Sequence, residues 1–271
     1  SQSFYESIPF DLTPTSDDRP FFYYMLKPAD FIQLFSFPEK SSFEDRALLT
    51  LRNLLVVVTV IVAVFLLLPL LIWKRNALKE PSAIRRILYF SCLGLGFMLI
   101  EIGLLRRFIL FLGQPIYALA VILCALLVFS GFGSLLSGPL SAGRERRFLS
   151  TILLALVLLS SLYVFVLPGI LDMAMTASLV QRCLLSVALL APLGFFLGMP
   201  LPVGMQLLHQ SPDGIPWSWG INSATSVWGA LLAVVLAMNF GFTLTLLLGV
   251  AVYLVALMVI LVPQRGDKRA L

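Results

Sequence analysis

The sequence predicts an all-α fold: a polytopic transmembrane helix bundle of about seven spans behind a short polar N-terminal segment. Two observations carry that expectation. Hydrophobic residues make up 59% of the 271 residues and charged residues 12%, with a mean hydropathy of +0.98, whereas an average soluble domain is roughly 25% charged. A water-soluble core cannot absorb that much apolar side chain. Apolar runs of about 20 residues, the length that crosses ~30 Å of hydrocarbon at ~1.5 Å per residue, also recur along most of the chain after Leu51. The lipid bilayer is therefore the first expected partner.

Taken in order, residues 1–50 differ from the rest. They hold Pro9, Pro14, Pro20, Pro28 and Pro38, many aromatics, and eight acidic against four basic side chains. The stretch is too short to be a stable domain of its own, and it reads as a polar linker. Within it, Asp30 to Phe35 has the Phe-rich character of a piece that settles along a membrane interface, or of a linker packed on a neighbour. The first residue is Ser, and no basic region followed by a short apolar core precedes the polar segment, so the chain reads as a piece of a longer protein.

The expected spans are 53–73, 87–105, 116–138, 148–170, 183–208, 218–239 and 243–262, making 51–263 the membrane bundle and 264–271 a basic tail. Lys74, Arg75, Lys79, Arg85 and Arg86 lie between the first two spans. Arg144, Arg146 and Arg147 lie between the third and fourth, and Arg265, Lys268 and Arg269 follow the last. All three clusters fall on one side. By the positive-inside rule that side is the cytoplasm, with the C-terminus inside and residues 1–50 outside. Arg106 and Arg107 fall on the other side and run against the rule. The formal charge of +5 is that of helix ends, so nucleic-acid binding is not implied.

Cys92, Cys124 and Cys183 lie in or beside apolar runs without CxxC or Cys/His spacing, and read as small core residues. No metal or cofactor site is signalled. Walker, GxSxG, GxGxxG-after-strand and HExxH patterns are absent from the sequence, so no soluble active site is legible. His209 has no companion ligand in sequence and reads as a solvated loop histidine.

Three features stand out from this apolar background. Glu101, late in the second span, is a carboxylate where ionisation is costly; it reads either as a cation or proton site or as a partner of Arg106, Arg107 or a neighbouring helix. The fifth span carries Pro192, Pro200 and Pro202, each of which removes an amide donor and must kink or break the helix. Such breaks often build transporter binding sites, or are packing kinks in which Gly194 and Gly198 let helices approach. The sixth span opens with Trp217 and Trp219 and then a stripe of Asn222, Ser223, Thr225 and Ser226. These side chains either meet a ligand or act as hydrogen-bonding glue, for example across to the broken helix.

Two stretches resemble a known family. Phe90 to Ile102, continuing through Arg107, Gly113, Tyr117-Ala118-Leu119 and Gly131 to Gly138, is similar to the membrane unit that accompanies spermidine synthase-like domains in bacterial fused membrane proteins. Thr15-Ser16-Asp17-Asp18-Arg19-Pro20-Phe21-Phe22 resembles the short acidic stretch that follows the synthase-like domain in those fusions. The resemblance implies a chain placed just after a Rossmann-like domain of the aminopropyltransferase or S-adenosylmethionine-dependent methyltransferase kind, with cofactor loop and catalytic acid upstream of Ser1. It implies a bacterial cytoplasmic membrane and a module that anchors that domain and supplies its substrate. Asp17 and Asp18 do not match the catalytic acid and are expected to cap a turn or pair with Arg19. A domain using S-adenosylmethionine belongs in the cytoplasm, whereas the charge pattern puts residues 1–50 outside. A transporter module for polyamines or another small cation, or a structural membrane subunit, are the other readings; a transporter would have further spans upstream of Ser1.

Overall fold

The computed structural model describes Asp18 and residues 43–73, 83–138, 144–207 and 214–262. The interfacial piece Asp30–Phe35, Asp17, Arg19, His209, the first loop cations Lys74, Arg75 and Lys79, and the basic tail lie outside the described residues. All regular structure among the described residues is helical, in the order α1 (Phe43–Val62), a π-helical segment (Ala63–Leu67), α2 (Leu68–Trp73), α3 (Ala83–Leu112), α4 (Pro115–Leu136), α5 (Glu145–Met173), α6 (Leu179–Gly198), α7 (Pro200–Leu207), α8 (Gly214–Phe240) and α9 (Phe242–Leu261).

Six of these rods, counting α6 and α7 as one, are long and apolar enough to cross a membrane. The chain is an integral, multi-pass membrane protein. The first expected span is the continuous rod α1–π–α2. It begins at Phe43, inside the stretch 1–50 that reads as a polar linker. Its π segment has a local cause: Pro69 offers no amide to the Phe65 carbonyl four residues back, and the ladder slips to the wider turn in which the Leu68 amide reaches the Ala63 oxygen.

Each of the other starts has its own signal. Gly113, at φ 79°, turns the chain, and Pro115 opens α4 at the position where a missing amide costs nothing. Ser178 and Gln181 form a reciprocal capping box at α6, with the Ser178 amide donating to Gln181 Oε1 at 3.0 Å. Gly241 takes φ 90° between α8 and α9, a conformation that a side chain would strain.

The middle of the bundle is α3, packed chiefly on α8 and α9, while α4 packs on α6 and α5 lies against α9 and α7. Ile100, Leu104, Phe108 and Phe111 of α3 are fully buried. Glycines set the spacing. A Cβ on Gly96 would meet the Tyr253 ring, and one on Gly103 would meet Leu246, so α9 runs antiparallel to α3. Gly229 lies on Leu95 and Met98 and Gly214 on Arg86, so α8 runs parallel to it. The outer surface is apolar, with Leu135, Phe165 and Ile116 each about three-quarters exposed (78%, 76% and 75%), as expected where lipid replaces water. Cys92 is buried, but Cys124 is exposed on this outer surface, so only the former is a core residue in the expected sense.

The two ends of the bundle carry different charges. Arg85, Arg86 and Arg146 gather where α3 and α5 begin and α9 finishes; at the other end stand Arg106, Arg107 and Asp18.

Candidate functional site

The proline-broken helix bends but stays packed. α6 stops at Gly198 and α7 restarts at Pro200, because Pro200 and Pro202 withhold amides from the carbonyls of Phe196 and Gly198. Gly198 lies on the Ser130 backbone and Gly133 on the Phe195 carbonyl, so α4 and α6 meet backbone to backbone. A glycine every fourth residue is what such an approach needs. Around the breaks, two tyrosines cross to carbonyls on the kinked rod. The Tyr89 hydroxyl donates to the Pro200 carbonyl at 2.7 Å, and the Tyr163 hydroxyl donates to the Leu189 carbonyl, next to Ala188, whose usual donor Pro192 withholds. The Val203 amide closes on the Met199 oxygen at 3.2 Å. Buried backbone groups require such partners where water is absent.

The polar stripe of α8 does not reach the broken helix; it lies against Gly94 of α3, whose added Cβ would strike the Asn222 carbonyl and the Thr225 and Ser226 hydroxyls. Those hydroxyls fold back on their own helix. Thr225 Oγ1 donates to the Ile221 carbonyl at 2.8 Å and Ser226 Oγ to the Asn222 carbonyl at 2.8 Å, the short reach that Ser and Thr prefer within helices. Asn222 is half-buried and Ser223 is exposed on the outside of α8. The stripe thus joins α3 to α8 by close approach rather than by side-chain bonds across to α6 and α7.

Glu101, half-buried, follows Gly94 on α3 by seven residues, about 10 Å along the axis, so the structure does not bring it together with the stripe. Among the described residues it forms no hydrogen bond or ion pair, and the pairing with Arg106 or Arg107 expected from proximity in sequence is absent. Residues five and six apart on a helix point to different faces, unlike those three or four apart. Arg106 and Arg107 are both half-buried.

Arg107 has other partners. Its Nη1 donates to the Tyr163 and Val164 carbonyls at 3.1 and 3.0 Å, and its Nη2 to Thr243 Oγ1 at 3.3 Å. The cause is again a proline: Pro168, inside α5, has no amide for the Val164 oxygen four residues back, and a guanidinium fills the place. Thr243 in turn donates through its hydroxyl to Asp18 Oδ1 at 2.7 Å, its amide donates to the same oxygen at 2.9 Å, and the Phe242 amide donates to the Asp18 main-chain carbonyl at 3.1 Å. Asp18 therefore caps α9, a helix 225 residues away. Its charge lies within electrostatic reach of Arg107.

The opposite end of α9 is held by cations. Arg85 Nη2 donates to the Ile260 carbonyl at 2.8 Å; Arg146 donates through Nε to Ile260 at 2.9 Å and through Nη2 to Leu261 at 3.1 Å and Val262 at 2.7 Å. Both were expected as loop charges that orient the protein; both also close a helix end, where cations offset the dipole. Sequence reading missed Thr243, Tyr163 and Val164. The signal was available in Pro168, whose missing amide announces a carbonyl in need of a donor. Among the described residues no group of three His, Cys, Asp or Glu comes together.

No family model, curated protein or solved structure matches this chain.

Proposed function

We propose that the chain is the membrane module of a spermidine synthase-like protein, anchoring a Rossmann-like aminopropyltransferase or methyltransferase-like domain that precedes Ser1. One observation carries the choice of anchor over conduit. The features a conduit would use, namely the proline breaks of α6–α7 and the polar stripe of α8, are engaged in holding helices together: Gly198 on Ser130, Tyr89 on Pro200, Gly94 on Thr225 and Ser226. The sequence resemblance supplies the identity of the anchored domain. The residues encoded upstream of Ser1 give the first check; a glycine-rich strand-to-helix turn with an acid downstream is expected, and further apolar spans alone would remove this reading.

A second reading, a transporter module for polyamines or another small cation, is favoured by Glu101 alone, since a half-buried carboxylate without a partner among the described residues suits a counter-charge. The protein reconstituted in vesicles separates the two. The anchor predicts spermidine uptake no faster than into protein-free vesicles, for the wild-type chain and for Glu101→Gln alike. Saturable uptake that disappears in Glu101→Gln would establish the transporter instead.

A further inference from the structure

Asp18 is joined to the bundle by both its side chain and its main chain. The Phe242 amide donates to its main-chain oxygen, and the Thr243 amide and hydroxyl donate to Oδ1. The carboxylate also lies over Gly241, where any Cβ would strike Oδ2, so the glycine with positive φ both turns the chain and admits the acid. Behind Thr243 stands Arg107, anchored in turn on two carbonyls of α5. One side chain of the polar N-terminal segment thus closes a clasp drawn from α3, α5 and α9.

We propose that Asp18 is a latch: the end of the bundle formed by Gly241, Phe242, Thr243 and Arg107 is a docking site for the N-terminal segment of this same chain, and the Asp18 carboxylate is what it recognises. An aspartate fits and a glutamate does not. With main-chain oxygen and Oδ1 both engaged on adjacent amides, one more methylene would push the backbone off the Phe242 amide. The latch stands without any assumption about what lies upstream of Ser1.

Residue-resolved hydrogen exchange on the full chain in detergent micelles tests this. In Asp18→Ala the main-chain oxygen of residue 18 remains, so a side chain acting only as a cap would expose the Thr243 amide and leave Phe242 protected. A latch predicts at least tenfold faster exchange at both Phe242 and Thr243, with Gly249 to Tyr253 unchanged as the sign that α9 is still packed. Asp18→Glu is predicted to behave as Asp18→Ala does, and Asp18→Asn, which keeps the shape and an acceptor, to fall between it and wild type. Retained protection at Phe242 in Asp18→Ala would overturn the proposal, as would wild-type exchange in Asp18→Glu. Should Asp18→Ala lose the interior protection of α9, the Glu and Asn variants decide the question by the same two amides.

Discussion

The two ends of α9 are closed by opposite means. At its start one carboxylate, Asp18, meets the first amides through Thr243; at its finish two guanidinium groups, Arg85 and Arg146, share the last three carbonyls. Both obey the same electrostatics, since the amino end of a helix is partly positive and the carboxyl end partly negative. They differ in depth and in what they join. The arginines close α9 onto the starts of α3 and α5 with several parallel bonds. The aspartate works through one threonine backed by a half-buried arginine, and it ties in a segment that does not belong to the bundle. The arginine end is redundant, whereas the aspartate end depends on a single chain of side-chain contacts.

That contrast is breakable, most sharply at Arg107. Arg107→Met removes the donor to two α5 carbonyls, one of them orphaned by Pro168, and leaves Thr243 and Asp18 without the cation behind them. A loss of roughly 3 kcal/mol is expected, in line with unsatisfied buried groups at a broken charge contact. It should appear as the largest fall in thermal midpoint of any single variant at either end. The proline explanation makes a narrower prediction: in a Pro168→Ala background, where the residue-168 amide can serve Val164, the cost of Arg107→Met should drop by about 1 kcal/mol, the value of one ordinary hydrogen bond. Equal costs in the two backgrounds would detach Arg107 from Pro168.

At the cationic end the effects should be smaller and more sensitive to salt. Arg146→Ala is expected to lower stability by about 1 kcal/mol, within the range for charges at helix ends, and by less as salt is raised toward 1 M, where screening acts within roughly 3 Å. Arg85→Ala, which removes the bond to Ile260 while Arg146 keeps its hold on the same carbonyl, should cost a few tenths of a kcal/mol. The double variant should cost more than the sum, because each arginine covers for the other. Strict additivity would show the redundancy to be absent. Melting curves of the four proteins in one detergent at low and high salt measure all of this.

The membrane rods were legible because hydropathy acts over whole turns. All seven expected spans correspond to helical rods, and their centres lie where the apolar runs do. Their ends were less legible: α3 extends from Ala83 to Leu112 through Arg85, Arg86, Arg106 and Arg107, charges that an apolar window excludes but a helix end accepts. The proline cluster and the Asn222–Ser226 stripe stand out in the sequence, and both are engaged in packing. What they pack against depends on register between helices, which one strand of sequence does not encode locally: Gly94 meets Thr225 across more than a hundred residues. At Glu101, the arginines nearest in sequence occupy other faces of the helix, which local sequence alone does not weigh. Asp18 was noticed for its composition, but its partner lies 225 residues on, and only the pairing of Gly241 with a following Thr243 hinted at a helix start in need of an acid.

A membrane-spanning α9 brings its two ends out on opposite faces of the membrane. In a background with the three native cysteines replaced, Ser141→Cys in the α4–α5 connection and Thr176→Cys in the exposed α5–α6 turn can be exposed to a membrane-impermeant maleimide, in sealed vesicles of each orientation. Each orientation is expected to label one site and spare the other, with Ser141→Cys on the cytoplasmic face. Labelling of both sites from the same face would contradict that arrangement.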